Sequence, residues 1–255
     1  MTSNWIGVWT LYEREVRRFV KVYAQTLIAP VVTTLLFLAV FALALGPDRG
    51  EIAGIPFIEF LAPGLVMMAV AQNAFANTSS SIVISKIQGN IVDTLMPPLT
   101  AHELTLAFAL GGATRGVAVG ILTMLAMAPF AEIGVAHAGF ALFHLVAASL
   151  LLSLIGVAGG IWSEKFDHIA AVTNFVVTPL AFLSGTFYSL DRLPEAFVRI
   201  ALANPFFYMI DGFRYGLIGY ADGSPGMGIG VLVGANAVLW FTCWRMFATG
   251  YKLKA

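Results

Sequence analysis

The sequence predicts an all-α integral membrane protein with six transmembrane helices, an N-terminal interfacial amphipathic helix and two short outer re-entrant helices between spans five and six. Of its 255 residues, 59% are hydrophobic and 11% are charged, whereas a soluble domain carries roughly 25% charged residues. A soluble core of this length could not bury so much apolar surface, so a lipid environment is required. Equal counts of 14 basic and 14 acidic residues give no net charge that would favour nucleic acid as a partner.

Long intervals without charge locate the spans, because a helix needs about 20 apolar residues to cross the hydrocarbon. The first interval lies between Lys21 and Asp48, and the third is interrupted only by Arg115. A charge inside a span must face protein or water, so Arg115 is either a snorkelling structural residue or a contact for substrate or partner. The predicted spans are residues 24–46, 60–84, 103–130, 138–162, 168–187 and 224–245.

Residues 4–23 carry apolar side chains, including Trp5 and Trp9, at helical spacing beside a basic surface. Two tryptophans and a basic face favour a helix in the headgroup plane, and a solvated helix of a small soluble cap is the alternative. Nine Lys and Arg residues in the connections lie on the same side of the predicted membrane as the N-terminus, and four lie on the other side. Because cytoplasmic loops carry an excess of Lys and Arg, both termini are predicted to be cytoplasmic. The nine are Arg14, Arg17, Arg18, Lys21, Lys86, Lys165, Arg245, Lys252 and Lys254, and the four are Arg49, Arg192, Arg199 and Arg214.

The cytoplasmic connection at 85–104 contains a short amphipathic pattern, with Ile87, Ile91 and Leu95 at every fourth position. Two prolines at 97–98 must end this helix, and Thr100 with its glutamate three residues later predicts a capping box for span three. The short helix is either a docking element for a partner or a simple interfacial turn.

The outer stretch 184–222 is about as apolar as a span but carries charges such as Asp191 and Arg214. Pro194 stands near one helix start, and Asn204 followed by Pro205 is a good N-cap. Two short helices that dip into the outer leaflet would act either as a gate or as a cap over the bundle.

Motifs for chemistry are missing from the sequence: it has no HExxH, GxSxG, nucleotide-binding loop or row of intramembrane carboxylates. The single cysteine, Cys243, excludes a disulfide framework and a cysteine-based metal site. We therefore expect a protein that is not an enzyme and that takes its energy from another polypeptide or from a gradient. Glycines at every fourth position in 112–120 and 226–234 indicate close helix packing, within or between chains.

Three segments carry a resemblance to a known family: PGLVMMAVAQNAFANTSSSIV at 63–83, GNIVDTLMPPLTAHEL at 89–104, and PLAFLSGTFYSLDRLPEAFVRIALANPFFYMIDGFRYG at 179–216. The sequence resembles the membrane subunit of ABC-2 type transporters over nearly its whole length. That family includes exporters of polysaccharides, lipo-oligosaccharides and hydrophobic drugs.

The resemblance implies one transmembrane domain over residues 1–255 in a bacterial inner membrane, working as a homodimer or with a similar permease chain. It also implies export of an amphipathic, lipid-linked, saccharide or drug-like cargo from the cytoplasm or inner leaflet. Two copies of a separate ATPase subunit would hold the ATP and Mg, and this chain would hold no cofactor. A gradient-driven carrier and a non-transporting membrane assembly protein are the alternatives.

By position, the resemblance implies a connecting helix at 4–23, a coupling helix at 86–96 that meets the ATPase, and outer re-entrant helices at 188–215. Many family members carry a Glu before the glycine of the coupling segment, whereas this chain has Gln88 there and acidity only at Asp93. The implied residues are Trp9, Glu13, Arg14, Arg17 and Arg18 in the connecting helix; Lys86, Ile87, Gln88, Gly89, Asn90, Ile91, Asp93, Thr94 and Leu95 in the coupling helix; and Phe187, Tyr188, Leu193, Pro194, Asn204, Pro205, Phe206 and Tyr208 in an outer gate.

Overall fold

The computed structural model describes residues 4–253, except the side chains of 45–49 and 192. Lys254 and the side chains of Arg49 and Arg192, three of the basic groups on which the predicted orientation depends, lie outside the described residues. The described chain is predominantly helical. Its helices are α1 Trp5–Val20, a first π segment Ala24–Ile28, α2 Ala29–Arg49, α3 Phe57–Ile87, α4 Ile91–Leu95, α5 Ala101–Met127, α6 Ala138–Trp162, α7 Phe166–Val172, a second π segment Thr173–Val177, α8 Thr178–Phe182, a 3-10 turn Leu190–Arg192, α9 Glu195–Ala203, α10 Pro205–Ile218 and α11 Pro225–Thr249.

Five of these helices are long and apolar enough to cross a membrane, counted over the described residues. They are Ala24–Ala44, Phe57–Ile87, Ala101–Met127, Ala138–Trp162 and Pro225–Thr249. In place of the predicted span 168–187, the structure has a shorter apolar helix, Phe166–Phe182, formed by α7, the second π segment and α8. The chain leaves this helix early because Leu183 forms a turn, Ser184 to Tyr188 form bends, and Gly185 adopts a left-handed φ of 73°. The six-span count therefore stays a prediction.

Helix α3 is the centre of the bundle, and most of its residues are buried against α6, α5, α2 and α10. Small residues allow the close approach: a Cβ on Gly156 of α6 would lie 2.5 Å from the Phe75 carbonyl oxygen of α3. Gly112 of α5 similarly lies against Thr78 and Ser153. The glycines of 112–120 thus pack helices within the chain, as small residues do in lipid.

The glycines at 226–234 behave differently, because no heavy atom of the described chain beyond their own helix lies within 4 Å of a Cβ built on Gly226, Gly230 or Gly234. Helix α11 is mostly exposed, with 17% of its span window buried, and the Ala24–Ala44 span is 11% buried. These two apolar helices therefore bury few of their residues within this single chain.

A two-stranded antiparallel hairpin, β1 Glu51–Ile52 and β2 Ile55–Pro56, joins α2 to α3. Its turn residues Ala53 and Gly54 both have positive φ, at 53° and 78°. Positive φ at both central positions matches the twist of a tight hairpin. The hairpin marks the end of the bundle opposite α4.

Candidate functional site

The connection between α3 and α5, predicted to be cytoplasmic, is two pieces rather than one helix over 86–96. Lys86 and Ile87 complete the last turn of α3, Gln88 to Asn90 form a turn, and α4 then covers Ile91–Leu95. Gly89 separates the pieces because its φ of 75° is left-handed, a conformation that disrupts a continuous α-helix. The proline pair at 97–98 ends α4, since proline cannot continue the hydrogen-bond ladder.

Helix α4 buries one side and exposes the other. Ile91 and Thr94 are buried against the bundle, whereas Val92 and Met96 are 53% and 75% exposed. Asp93 is also exposed, beside these apolar side chains. This mixed apolar and acidic tip is the part of the connection that a partner could touch.

Lys86 makes hydrogen bonds within its own chain. Its Nζ donates hydrogen bonds of 2.6 Å to the carbonyl oxygens of Ile161 and Ser163, at the C-terminal end of α6. The last carbonyls of a helix lack intrahelical donors, so the ammonium group satisfies them and offsets the negative end of the helix dipole. The resemblance placed Lys86 in the ATPase contact, and the structure places its charge on α6.

Helix α1 is tied directly to α4 through Arg14. The Arg14 Nη1 donates to the Thr94 Oγ1 at 2.9 Å, and its Nη2 donates to the Glu15 Oε1 at 3.2 Å. Of the other implied residues of this helix, Arg17 pairs with Glu13 at 2.6 Å, Trp9 packs against the Tyr12 ring, and Arg18 lies beside Glu15. Helices α1 and α4 are therefore linked by the Arg14 side chain.

Glu15 is fully buried where α1, α3 and α5 meet. Its Oε1 accepts a hydrogen bond from the Ser81 hydroxyl at 2.8 Å, and its Oε2 lies 3.5 Å from the Arg18 Nε. A Cβ on Gly111 would lie 2.6 Å from the Glu15 Cβ, so the carboxylate requires a glycine on α5. Burial lowers the pKa of the Arg18 guanidinium, while the Glu15 charge opposes that effect. The charge is thus held by specific contacts rather than by water.

Sequence reasoning missed Glu15, although a signal was present. The buried residues of α1 are Val8, Leu11, Glu15 and Phe19, which lie on one helical face. Glu15 is the one polar member of that face, and a lone acid in an apolar stripe indicates a buried, paired carboxylate. The predicted stripe instead followed Trp5 and Trp9, which are exposed.

A cavity of about 700 Å³ lies between α1, the end of α3 and the turn before α4. Basic groups of α1 and polar groups of the turn line it together with Asp93. The charged and amide residues of its lining are Glu13, Arg14, Glu15, Arg17, Arg18, Lys21, Gln88, Asn90 and Asp93. A protein segment that carries both charged and apolar side chains could enter this space.

Arg115 of α5 points toward α3. Its Nη2 donates to the Asn73 Oδ1 at 2.8 Å, and the Asn73 Nδ2 donates to the Ala69 carbonyl oxygen at 2.9 Å. No carboxylate of the described residues lies within ion-pair distance of Arg115. The amide oxygen thus provides hydrogen bonding to this cation without neutralising it.

The implied outer gate divides into an exposed part and a buried part. Pro194 and α9 are exposed, whereas Phe206 and Tyr208 on α10 are 1% and 6% exposed. Asn204 caps α10, since its Oδ1 accepts from the Phe206 N–H at 3.0 Å and its Nδ2 donates to the Leu180 carbonyl oxygen. The remaining implied residues lie as follows: Phe187 stacks on Phe41 and Phe182, Tyr188 donates to the Phe182 carbonyl oxygen, Leu193 precedes Pro194, and Pro205 is the first residue of α10.

A buried ionic cluster that sequence reasoning missed joins the elements at the end of the bundle where α3 begins. The Arg214 guanidinium is completely buried and donates to the Gly185 carbonyl oxygen at 2.7 Å and the Phe60 carbonyl oxygen at 3.3 Å. Its Nη1 lies 3.7 Å from the Asp222 Oδ2, and its Cζ lies 3.8 Å from the centre of the Phe60 ring. Asp211 accepts backbone hydrogen bonds from residues 222 and 223. Arg214 therefore joins α3, α10 and two outer loops.

Comparisons with known proteins identify the family of the chain. Residues 7–218 match the ABC-2 type transporter family. The chain is 36% identical over 255 residues to the inner membrane transport permease YadH of Escherichia coli (strain K12), covering 100% of both chains. It is 25% identical over 238 residues to nodulation protein J of Rhizobium meliloti (strain 1021), covering 91% of this chain and 86% of that protein. With its apolar spans and this match over most of its length, the chain belongs to the ABC-2 type transporter family.

Proposed function

We propose that this chain is the membrane-spanning subunit of an ATP-driven exporter in a bacterial inner membrane, with both termini cytoplasmic. Two copies of a separate ATPase subunit would supply ATP, Mg and the energy, and the cargo would be amphipathic, lipid-linked, saccharide or drug-like. The Arg14 bond to Thr94 is the observation that best supports this function. It gives a push on the exposed α4 tip a direct route into α1 and, through Glu15 and Ser81, into α3.

The proposed contact with the ATPase uses α4 and the cytoplasmic cavity. Val92 and Met96 offer apolar surface, and the cavity of about 700 Å³ beside them offers charged groups of both signs. An interface with an apolar centre and a polar rim is typical of protein partners. Two copies of the chain would cover the exposed surfaces of α2 and α11, which supports a homodimer or a pair with a similar chain. In this arrangement the helix Phe166–Phe182 provides the sixth crossing.

Co-purification from mild detergent followed by an ATPase assay tests the proposal. We expect the tagged permease to recover a stoichiometric ATPase. The double variant Gly89→Pro with Asp93→Lys should lose it or uncouple it, because proline cannot adopt the φ of 75° and lysine reverses the charge of the tip. Glu195→Lys is the matched control, since it makes the same charge reversal on exposed α9 at the outer end.

Three results would count against this reading. Unchanged ATPase coupling in the double variant would remove the docking role of α4. Transport that needs no ATP would indicate a gradient-driven carrier. Recovery of a well-folded permease that brings no ATPase with it and transports no solute would indicate a membrane assembly protein.

A further inference from the structure

Two arginines from different helices bind asparagines on successive turns of α3. The Arg115 Nη2 of α5 donates to the Asn73 Oδ1 at 2.8 Å, and the Arg18 Nη2 of α1 donates to the Asn77 Oδ1 at 3.1 Å. The two asparagines are four residues apart, so they share one face of α3 with their Cβ atoms about 5–6 Å apart. Three helices thus bring two guanidinium groups close enough for the charge of one to act on the other.

The carboxylate beside this pair does not balance its charge. The Glu15 Oε2 lies 3.5 Å from the Arg18 Nε, and the Oε1 of the same carboxylate pairs with Arg14 at 3.2 Å. None of the ion pairs between described residues includes Arg115. Arg18 and Arg115 together therefore carry at least one positive charge more than Glu15 supplies in return. A charge held away from water without a counter-charge is costly, and cations inside membrane proteins are normally paired.

Unused hydrogen-bond donors occur at the same place. The Asn77 side chain is fully buried, and its Nδ2 has no acceptor among the described residues. The Arg115 Nε is also buried without an acceptor there. Both groups can only donate, so they require an acceptor that the neighbouring side chains do not provide. Water can accept these bonds but leaves the surplus positive charge uncompensated, whereas an anion does both.

Depth and access restrict the kind of anion. Helix α5 has 27 residues, and Arg115 lies near its midpoint, about 21 Å from its first residue. In a membrane that α5 crosses, this position is deeper than the phosphate groups of the lipids. The cavity of about 700 Å³ described above gives an approach from water, because Arg18 belongs to its lining. A surplus of one charge at the end of such a path matches a small monovalent ion.

We propose that Arg18, Arg115 and the Asn77 amide bind a small monovalent anion of the halide class. The ion accepts hydrogen bonds from the Asn77 Nδ2 and the Arg115 Nε and compensates the surplus charge. Because its ligands come from α1, α3 and α5, the bound ion joins three helices that the unfolded chain cannot bring together. An ion that binds only the folded chain raises the Tm.

Thermal unfolding of the permease alone, in dodecyl maltoside, tests this site. The salt would be sodium gluconate, whose anion is too large for the site, or sodium chloride or bromide at the same concentration. We expect chloride and bromide to raise the Tm by about 3–6 °C over gluconate, as for a site at about ten times its Kd. General salt effects act in the opposite direction, because gluconate is the more strongly hydrated anion. Equilibrium dialysis with radioactive chloride should show one retained ion per chain.

An isosteric variant supplies the negative charge from within the protein. Asn77→Asp places a carboxylate beside both guanidinium groups, so it should raise the Tm in gluconate and abolish both the difference between the salts and the retention of chloride. Asn236→Asp is the matched control, because it makes the same change on α11, where the amide donates to the Ala147 carbonyl oxygen. Whatever this control does to the Tm itself, it should keep the difference between the salts.

Charge removal gives a second, independent comparison. Arg115→Met removes the surplus charge and should also abolish the difference between the salts. Arg17→Met should keep that difference, because it removes a cation of α1 whose side chain is 71% exposed. Equal Tm values in chloride and gluconate without retained chloride would overturn the proposal. A difference between the salts that persists in both Asn77→Asp and Arg115→Met would overturn it as well, because the ion would then bind elsewhere.

Discussion

The variant Arg214→Met removes the centre of the outer ionic cluster while keeping most of the bulk of the side chain. It leaves the Asp222 carboxylate buried without its cation and takes the donor from the Gly185 and Phe60 carbonyl oxygens. Breaking one side of a buried ion pair costs about 3–5 kcal/mol. At about 2–4 °C per kcal/mol for a chain of this size, the apparent Tm should fall by about 6–20 °C.

Thermal unfolding of the purified permease in one detergent, followed by tryptophan fluorescence, measures this effect. Arg199→Met is the matched control, because it makes the same change in an exposed pair on α9, 3.9 Å from Glu195. Exposed pairs contribute at most about 1 kcal/mol, so this control should shift the Tm by no more than about 4 °C. If Arg214→Met were no more destabilising than Arg199→Met, the cluster would not hold the outer end together. Partial recovery in Arg214→Met with Asp222→Leu would further support the ionic explanation.

Two further predictions concern helix packing and pH. Gly156→Ala should lower the free energy of unfolding by about 1–3 kcal/mol, because its Cβ would lie 2.5 Å from the Phe75 carbonyl oxygen. Gly230→Ala is the control: no neighbouring heavy atom lies within 4 Å of its Cβ, so it should leave the Tm unchanged or raise it. The hydrogen bond from Lys252 lowers the pKa of the Glu164 carboxyl, and the same bond raises the pKa of Lys252. The stabilisation from Glu164 is therefore present above its unfolded pKa and lost as pH falls through the folded value, whereas that from Lys252 is present below its unfolded pKa and lost as pH rises through its folded value. Hydrogen-exchange protection of the C-terminal turn, corrected for intrinsic rates, should be greatest near neutral pH, and Lys252→Met should remove this pH dependence.

Local sequence patterns predicted the helix ends well where the stabilising partners are neighbours in the chain. The capping box is confirmed: the Glu103 backbone N–H donates to the Thr100 hydroxyl, and the Thr100 backbone N–H donates to the Glu103 carboxylate. The cap of α10 at Asn204 is confirmed as well. Both motifs operate within three residues, so the sequence contains all of their information.

Partners distant in the chain could not be deduced in the same way. Glu15 meets Ser81 across 66 positions, and Arg214 meets Phe60 across 154. Helix ends also differ from the predicted span bounds, because hydropathy marks where the hydrocarbon ends rather than where the backbone stops being helical. Helix α3 begins at Phe57 and extends to Ile87, beyond the predicted 60–84, and accommodates Glu59 and Lys86 in its terminal turns.

The Lys86 clamp on α6 has a consequence for how movement spreads through the molecule. Two hydrogen bonds from Lys86 fasten the C-terminal end of α3 to α6, and close packing at Gly156 and Gly160 joins the same two helices along their length, so we expect α3 and α6 to move together. Under the proposed function, a force on the α4 tip would reach α3 across the Gly89 turn and would displace α3 and α6 together. We then expect bending in the neighbouring helices instead. The π segments Ala24–Ile28 and Thr173–Val177, each followed closely by a proline, are the places where their helical hydrogen bonding is least regular.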